Sequence, residues 1–157
     1  MQRKAFSILP AVHAAVALFA LGTSTLVHAV SPQETPVGVW QTIDDHTGKP
    51  RGEVRITDSG GVLSGRIIKQ LDPSVKPDAV CDKCDDDRKG QLILGLQIIR
   101  RVKKLDDPGA WGDGEILDPD NGKTYRVRLM PDDGGKRLLV RGYIGPFYRT
   151  QTWLRLQ

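Results

Sequence analysis

The chain has 157 residues, with 23 Lys or Arg against 19 Asp or Glu and a formal net charge of +4. So small an excess, with acids and bases interspersed, excludes the dense basic patch of a dedicated nucleic-acid binder and the like-charge blocks of a disordered tail. Three histidines and two cysteines leave few side chains from which to assemble a metal centre or a nucleophilic triad.

The N-terminus reads as an address. Arg3 and Lys4 precede "AFSILPAVHAAVALFALG", and "TSTLVHA" puts Val27 and Ala29 at the −3 and −1 places of a cleavage site. Residues 1–29 are therefore predicted to be a secretory signal peptide cut after Ala29. An uncleaved membrane anchor needs about 20 uninterrupted apolar residues, and Pro10 and His13 interrupt this run. No cysteine follows it, which argues against lipoprotein processing, and no later stretch is apolar and long enough to span a membrane. The expected product is periplasmic or secreted, with a charge of about +2 once the two basic residues have left. Export also implies an oxidising space in which cysteines pair. His13 and His28 leave with the signal, so His46 is the one histidine of the remainder. It sits in "DDHTGKPRG" and reads as a solvated turn residue.

Residues 30–36 read as a flexible lead-in. After it, a period of two recurs. "VGVWQTI" (37–43), "GEVRIT" (52–57) and "VLSGRIIKQ" (62–70) predict a three-stranded meander, with "DSGG" (58–61) as a turn. Residues 71–91 hold Pro73, Pro77, both cysteines and a charge run, and predict a long loop. "LILGLQIIRRVKKL" (92–105) fits a buried strand or a short helix; Gly95 and the β-branched Ile98 and Ile99 favour the strand. "DDPGAWGDG" (106–114) reads as a turn. "EILD" (115–118) and "KTYRVRLM" (123–130) flank "PDNG", a hairpin turn. After a turn at 132–136, "RLLVRGYI" (137–144) and "RTQTWLRL" (149–156) finish the chain, separated by Gly145-Pro146. About eight strands with short connections predict an all-β domain over 37–157, an antiparallel barrel or sandwich, and a barrel removes the exposed edges.

Two resemblances sharpen this. Gly38-Val39-Trp40 near the start of the strands, and "RTQTWLR" at the end, resemble the lipocalin-like barrels (the calycins), in which an early Gly-x-Trp is packed by a late Arg or Lys. The resemblance implies an up-and-down barrel with a structural floor of Gly38, Trp40 and a late arginine, Arg155 favoured over Arg149. A guanidinium over an indole contributes about 0.5–2 kcal/mol. The ordered set "GVW", "TGKPRG", "GRI", C-x-x-C, "ILDP", "NGKTY", "VRGYIG" and "RTQTW" resembles, over nearly the whole remaining chain, a bacterial family of exported proteins, the domain of unknown function numbered 2147. Tyr148, where that pattern has Gly, and Gly90-Gln91, where it has Pro, depart from it in loops. The family is associated with a lipocalin-like fold and supplies no activity, cofactor or catalytic residues.

The candidate sites are few. "CDKC" (81–84) admits a redox pair, half a metal site or a local disulfide. No β-α-β pattern accompanies it, and Asp82 and Asp85–Asp87 would raise a thiol pKa, which weighs against redox work. Only carboxylates are near as further ligands. A structural Cys81–Cys84 disulfide clipping the long loop is the expectation, and its short ring makes the entropic gain small. "DPDNGK" (118–123) fails as a calcium loop because Gly122 stands at position 5 and Leu129 at position 12. "DDD" (85–87) reads as a solvated charge run. Tyr125, Tyr143 and Trp153, with Arg141 and Arg149, are the candidate lining of an interior ligand site; Arg126 and Arg128 are expected to face water. No catalytic residue, metal or cofactor is expected. The expected partner is a small apolar or amphipathic ligand, with no nucleic acid; the alternative is a filled barrel serving as an envelope interaction platform. Interior volume separates the two, a cavity of about 300 Å³ or more favouring a ligand.

Overall fold

The computed structural model describes residues 34–157. The alternating segments form eight strands: β1 Gly38–Ile43, β2 Pro50–Ser59, β3 Val62–Gln70, β4 Gln97–Lys104, β5 Trp111–Asp118, β6 Lys123–Asp132, β7 Arg137–Ile144 and β8 Phe147–Arg155. Each pairs antiparallel with the next, and β1 closes on β8 through Trp40↔Arg155 and Gln41↔Leu154. The result is the closed up-and-down barrel expected, with every strand edge paired. The predicted signal segment and residues 30–33 lie outside the described residues. Residues 34–36 are tied to the barrel: Pro36 is buried and its carbonyl accepts from Trp40 Nε1 at 2.8 Å.

One end of the barrel is filled. Trp40, Leu63, Ile99, Val102, Leu129 and Leu138 are all fully buried there. They come from five different strands, which is what closure of an alternating sheet does: alternate residues along each strand point to the common axis.

Strands β2 and β6 run about two residues beyond the sequence expectation, and three other boundaries differ for a local reason. Residues 111–114 belong to β5 and not to a turn; Trp111 pairs with Leu129 and is buried, while Asp113 at φ 57° makes a bulge. Gly-Asp-Gly looks like a turn because a bulge uses the same residue types. Strand β4 starts at Gln97 and not at residue 92. Gly95 at φ 90° turns the chain, and Leu92 has a single bridge, to Val80. Strand β8 starts at Phe147, so Gly145-Pro146 is a two-residue hairpin turn.

The long loop is folded against the barrel. Cys81 N donates to Gln91 O (2.8 Å), Gly90 N to Cys81 O (2.9 Å) and Ile93 N to Ala79 O (2.9 Å), a miniature hairpin within the loop. The Cys81–Cys84 disulfide is present and both cysteines are buried. The segment lies over the β5–β6 turn. Lys83 Nζ donates to Asp120 O at 2.7 Å, and at Gly122 a Cβ would collide with the Lys83 carbonyl, so only glycine fits.

Candidate functional site

At the closed end the Gly38–Trp40–Arg155 arrangement is built as a plug. The Arg155 guanidinium lies 4.1 Å from the Trp40 ring centroid. It donates to the backbone carbonyls of Thr35 at 2.6 Å, Val37 at 2.9 Å, Gly135 at 2.5 Å and Gln157 at 3.4 Å. It thereby stitches the lead-in, β1 and the β6–β7 turn together. Burial lowers its pKa from the ordinary value. Gly38 is required by that approach: a Cβ there would lie 2.5 Å from Arg155 Nη1 and from Gln157 O, and its φ is 145°. Arg149, the other candidate cation, is at the opposite end.

That opposite end is open. A cavity of about 880 Å³ runs down the barrel axis from the mouth. Its wall is apolar, with Val54, Ile67, Ile98, Ile116, Val140 and Trp153. Of the candidate lining residues, Tyr125, Arg149 and Trp153 line it. Tyr143 and Arg141 do not. Val140 and Gly142 occupy the inward positions of β7, so residues 141 and 143 face outward. The Arg141 guanidinium sits 4.4 Å over the Tyr148 ring and its Nε donates to Thr150 Oγ1 at 2.9 Å, while Tyr143 packs on Tyr148 with centroids 5.8 Å apart. Identifying Arg141 and Tyr143 as lining needed the phase of β7, which "LVRGYI" leaves open.

A polar ladder descends from the mouth into this wall. Arg149 Nη2 is ion-paired with Asp45 Oδ2, Gln151 Nε2 donates to the same carboxylate oxygen at 3.4 Å, and Trp153 Nε1 donates to Gln151 Oε1 at 3.4 Å. Asp45 comes from the β1–β2 loop and the other three from alternate positions of β8. The phenol of Tyr125 accepts from Asn121 Nδ2 at 3.0 Å. His46 is exposed, its amide donating to Asp44 Oδ1 at 3.1 Å, as a turn residue would. Among the described residues no group of three or more His, Cys, Asp or Glu is placed to hold a metal ion, and no helix is long and apolar enough to cross a membrane.

The acidic run at 85–87 holds a second feature that its reading as a solvated charge run missed. Arg88 is fully buried between the loop and the outer face of β4–β6. Its Nε donates to Asp86 Oδ2 at 2.9 Å, and its Nη2 is ion-paired with Asp86 and donates to Thr124 Oγ1 at 3.0 Å. Nη1 donates to Gln97 O at 3.3 Å, and Glu115 lies 3.7 Å away. Asp87 makes a two-pronged pair with Arg100, at 2.7 and 2.9 Å. Two of the three aspartates are thus clasps and not free surface charge. Paired opposite charges at Asp86-x-Arg88 and the polar outward phase of β4 were the only signals in the sequence.

The clasp makes the loop acid-sensitive. Hydrogen bonding from Arg88 holds the Asp86 carboxyl down at about 2, below its ordinary 3.8. A carboxyl depressed in the folded state stabilises fully above the unfolded value and loses that contribution as pH falls through the folded one. Urea midpoints are therefore expected to fall between about pH 4 and pH 2, and Asp86→Asn should fall less over that window. A wild-type midpoint that stays flat down to pH 2 would contradict the clasp.

Residues 38–155 match a protein family described as "Uncharacterized protein conserved in bacteria" (DUF2147). The chain belongs to that family. A search of curated proteins returned no match. Among solved structures, a Helicobacter pylori protein described as belonging to the lipocalin family is similar, with a TM-score of 0.65 and 21% identity over 77% of this chain and 82% of that one. The shared feature at this identity is the fold. For this DUF2147 member, the lipocalin-like barrel expected from Gly38-x-Trp40 is thus present, and the late arginine that packs on the tryptophan is Arg155.

Proposed function

We propose that this protein is an exported, non-enzymatic barrel that carries a small apolar or amphipathic ligand. The observation that supports it is the cavity of about 880 Å³, open at one end and plugged at the other by Trp40 and Arg155. That volume is in the range of small-molecule sites, which run about 300–1,000 Å³. An apolar inner wall with charged and polar groups gathered near the mouth suits a ligand with an apolar body and one polar end. The alternative, a platform with a filled barrel, is less favoured, because part of this space lies between Val54, Ile98, Ile116, Val140 and Trp153 inside the barrel and the rest between the mouth loops. Export rests on the N-terminal segment and the paired cysteines, and the absence of an enzymatic role rests on the scarcity of candidate nucleophiles and bases.

Native mass spectrometry of protein purified from the periplasm tests this reading. A co-purified small molecule is the expected result; a clean apo mass from every preparation, with no uptake of added amphiphiles, would overturn it. Gly142→Leu supplies the matched variant. Gly142 lines the cavity and a Cβ there meets only ordinary contacts, Tyr125 Cβ at 3.5 Å. Filling the cavity at that point is expected to weaken ligand binding at least about tenfold (~1.4 kcal/mol) with little change in melting temperature.

A further inference from the structure

The chain as a whole is basic, but the cavity mouth is not. The lining carries seven Asp or Glu side chains and four Lys or Arg. Two of the three ion pairs at the lining reinforce the count; in the third, Arg51–Asp120, the guanidinium is the more sheltered partner, 35% exposed against 58%. In Arg149–Asp45 the carboxylate side chain is 29% exposed and the guanidinium 60%; in Lys69–Glu53 the carboxylate is 17% exposed and the ammonium 58%. In both pairs the anion is the sheltered partner at the cavity lining and the cation is the solvated one. Asp45 also reaches inward, accepting from Gln151, whose own oxygen accepts from Trp153. A ligand seated with its apolar body against Val54, Ile67 and Val140 brings its head to the level of these carboxylates.

We infer that the cavity selects amphiphiles with a cationic head, such as an alkylammonium, over those with a carboxylate or sulfate head. The inference rests on the ligand-binding reading above and names the chemical class for the same site. Charges at a partly sheltered mouth interact several times more strongly than in bulk water. A cationic head therefore gains attraction from the unbalanced carboxylates. It can also take the place of the exposed Arg149 or Lys69 beside Asp45 or Glu53, since exposed ion pairs are held by little free energy. An anionic head meets the same carboxylates as repulsion.

The test is direct titration of the full folded protein, below micelle-forming concentrations, with dodecyltrimethylammonium and with dodecanoate, which share one chain length. The ammonium is expected to bind at least about tenfold (~1.4 kcal/mol) more tightly. Asp45→Asn and Glu53→Gln together should bring the two affinities within about threefold of each other. Raising the salt concentration should narrow the wild-type ratio, because the exposed part of the field is screened. Equal or tighter binding of dodecanoate to the wild type would overturn the charge selectivity and leave the cavity reading standing. Binding of neither probe, or binding unchanged in Gly142→Leu, would overturn the cavity reading and the inference together. A ratio that survives in the double variant, with its melting curve intact, would overturn the assignment to Asp45 and Glu53.

Discussion

Trp40→Ala is expected to destabilise the barrel by about 3–5 kcal/mol, the range for deleting a buried Trp side chain. Trp40 has no exposed surface, and it sits where β1 meets both β2 and β8. Closure there runs through Trp40↔Arg155 and Gln41↔Leu154, continued by backbone hydrogen bonds of Val39 with Leu156 and Gln157. Removing the indole leaves a void at the plug, removes the donor to Pro36 O, and takes away the ring under the Arg155 guanidinium. A loss of that size is a large fraction of the 5–15 kcal/mol typical of a domain. Arg155→Ala should cost less, about 2 kcal/mol, because it removes charge-assisted hydrogen bonds and leaves the apolar packing in place. Urea or thermal unfolding followed by circular dichroism reads both variants. A Trp40→Ala protein that melts within a few degrees of wild type would show that the plug does not hold the barrel closed.

Arg88→Met carries the second large effect, about 3 kcal/mol, at the low end for breaking a buried ion pair because Asp86 and Glu115 keep some access to water. Methionine approximates the volume, so the loss reports the polar contacts. The change strips partners from Asp86, Thr124, Gln97 O and Glu115 at once. Asp86 and Glu115 then face a buried apolar side chain. The damage should concentrate in the loop, which the Cys81–Cys84 ring alone constrains only over a few residues. Hydrogen exchange should rise across residues 79–93 while β1, β2 and β8 keep their protection. Uniform loss of protection over the whole barrel, or none anywhere, would contradict a local clasp.

Much of the fold was legible. The period of two in "GEVRIT", "VLSGRIIKQ" and "KTYRVRLM" identified strands, because an alternating sheet with one face to a core must read that way. Gly-x-Trp and the late arginine pointed to the plug through their resemblance to lipocalin-like barrels, and the contact itself joins the first strand to the last. What was illegible is also explained by particular residues. Gly112-Asp113-Gly114 reads as a turn by composition and is a bulge because Trp111 is drawn inward to pair with Leu129. Arg88 reads as surface charge, because nothing local shows that a loop folds back over Thr124 and Glu115, 36 and 27 residues further on in the numbering.

By itself the sequence determined the class of fold and the eight-element order, because these depend on a repeated period, and it made a local Cys81–Cys84 disulfide the leading reading of the cysteine pair; the plug residues followed from the resemblance to lipocalin-like barrels. The tertiary structure alone decided three things: which phase of β7 faces inward, that the interior stays open above the plug, and that the carboxylates of Asp45 and Glu53 lie on the sheltered side of their ion pairs. Each of these depends on how eight strands are staggered around one axis. A shift of one residue in register exchanges the inner and outer faces of a strand, and the composition of the strand is the same in either register.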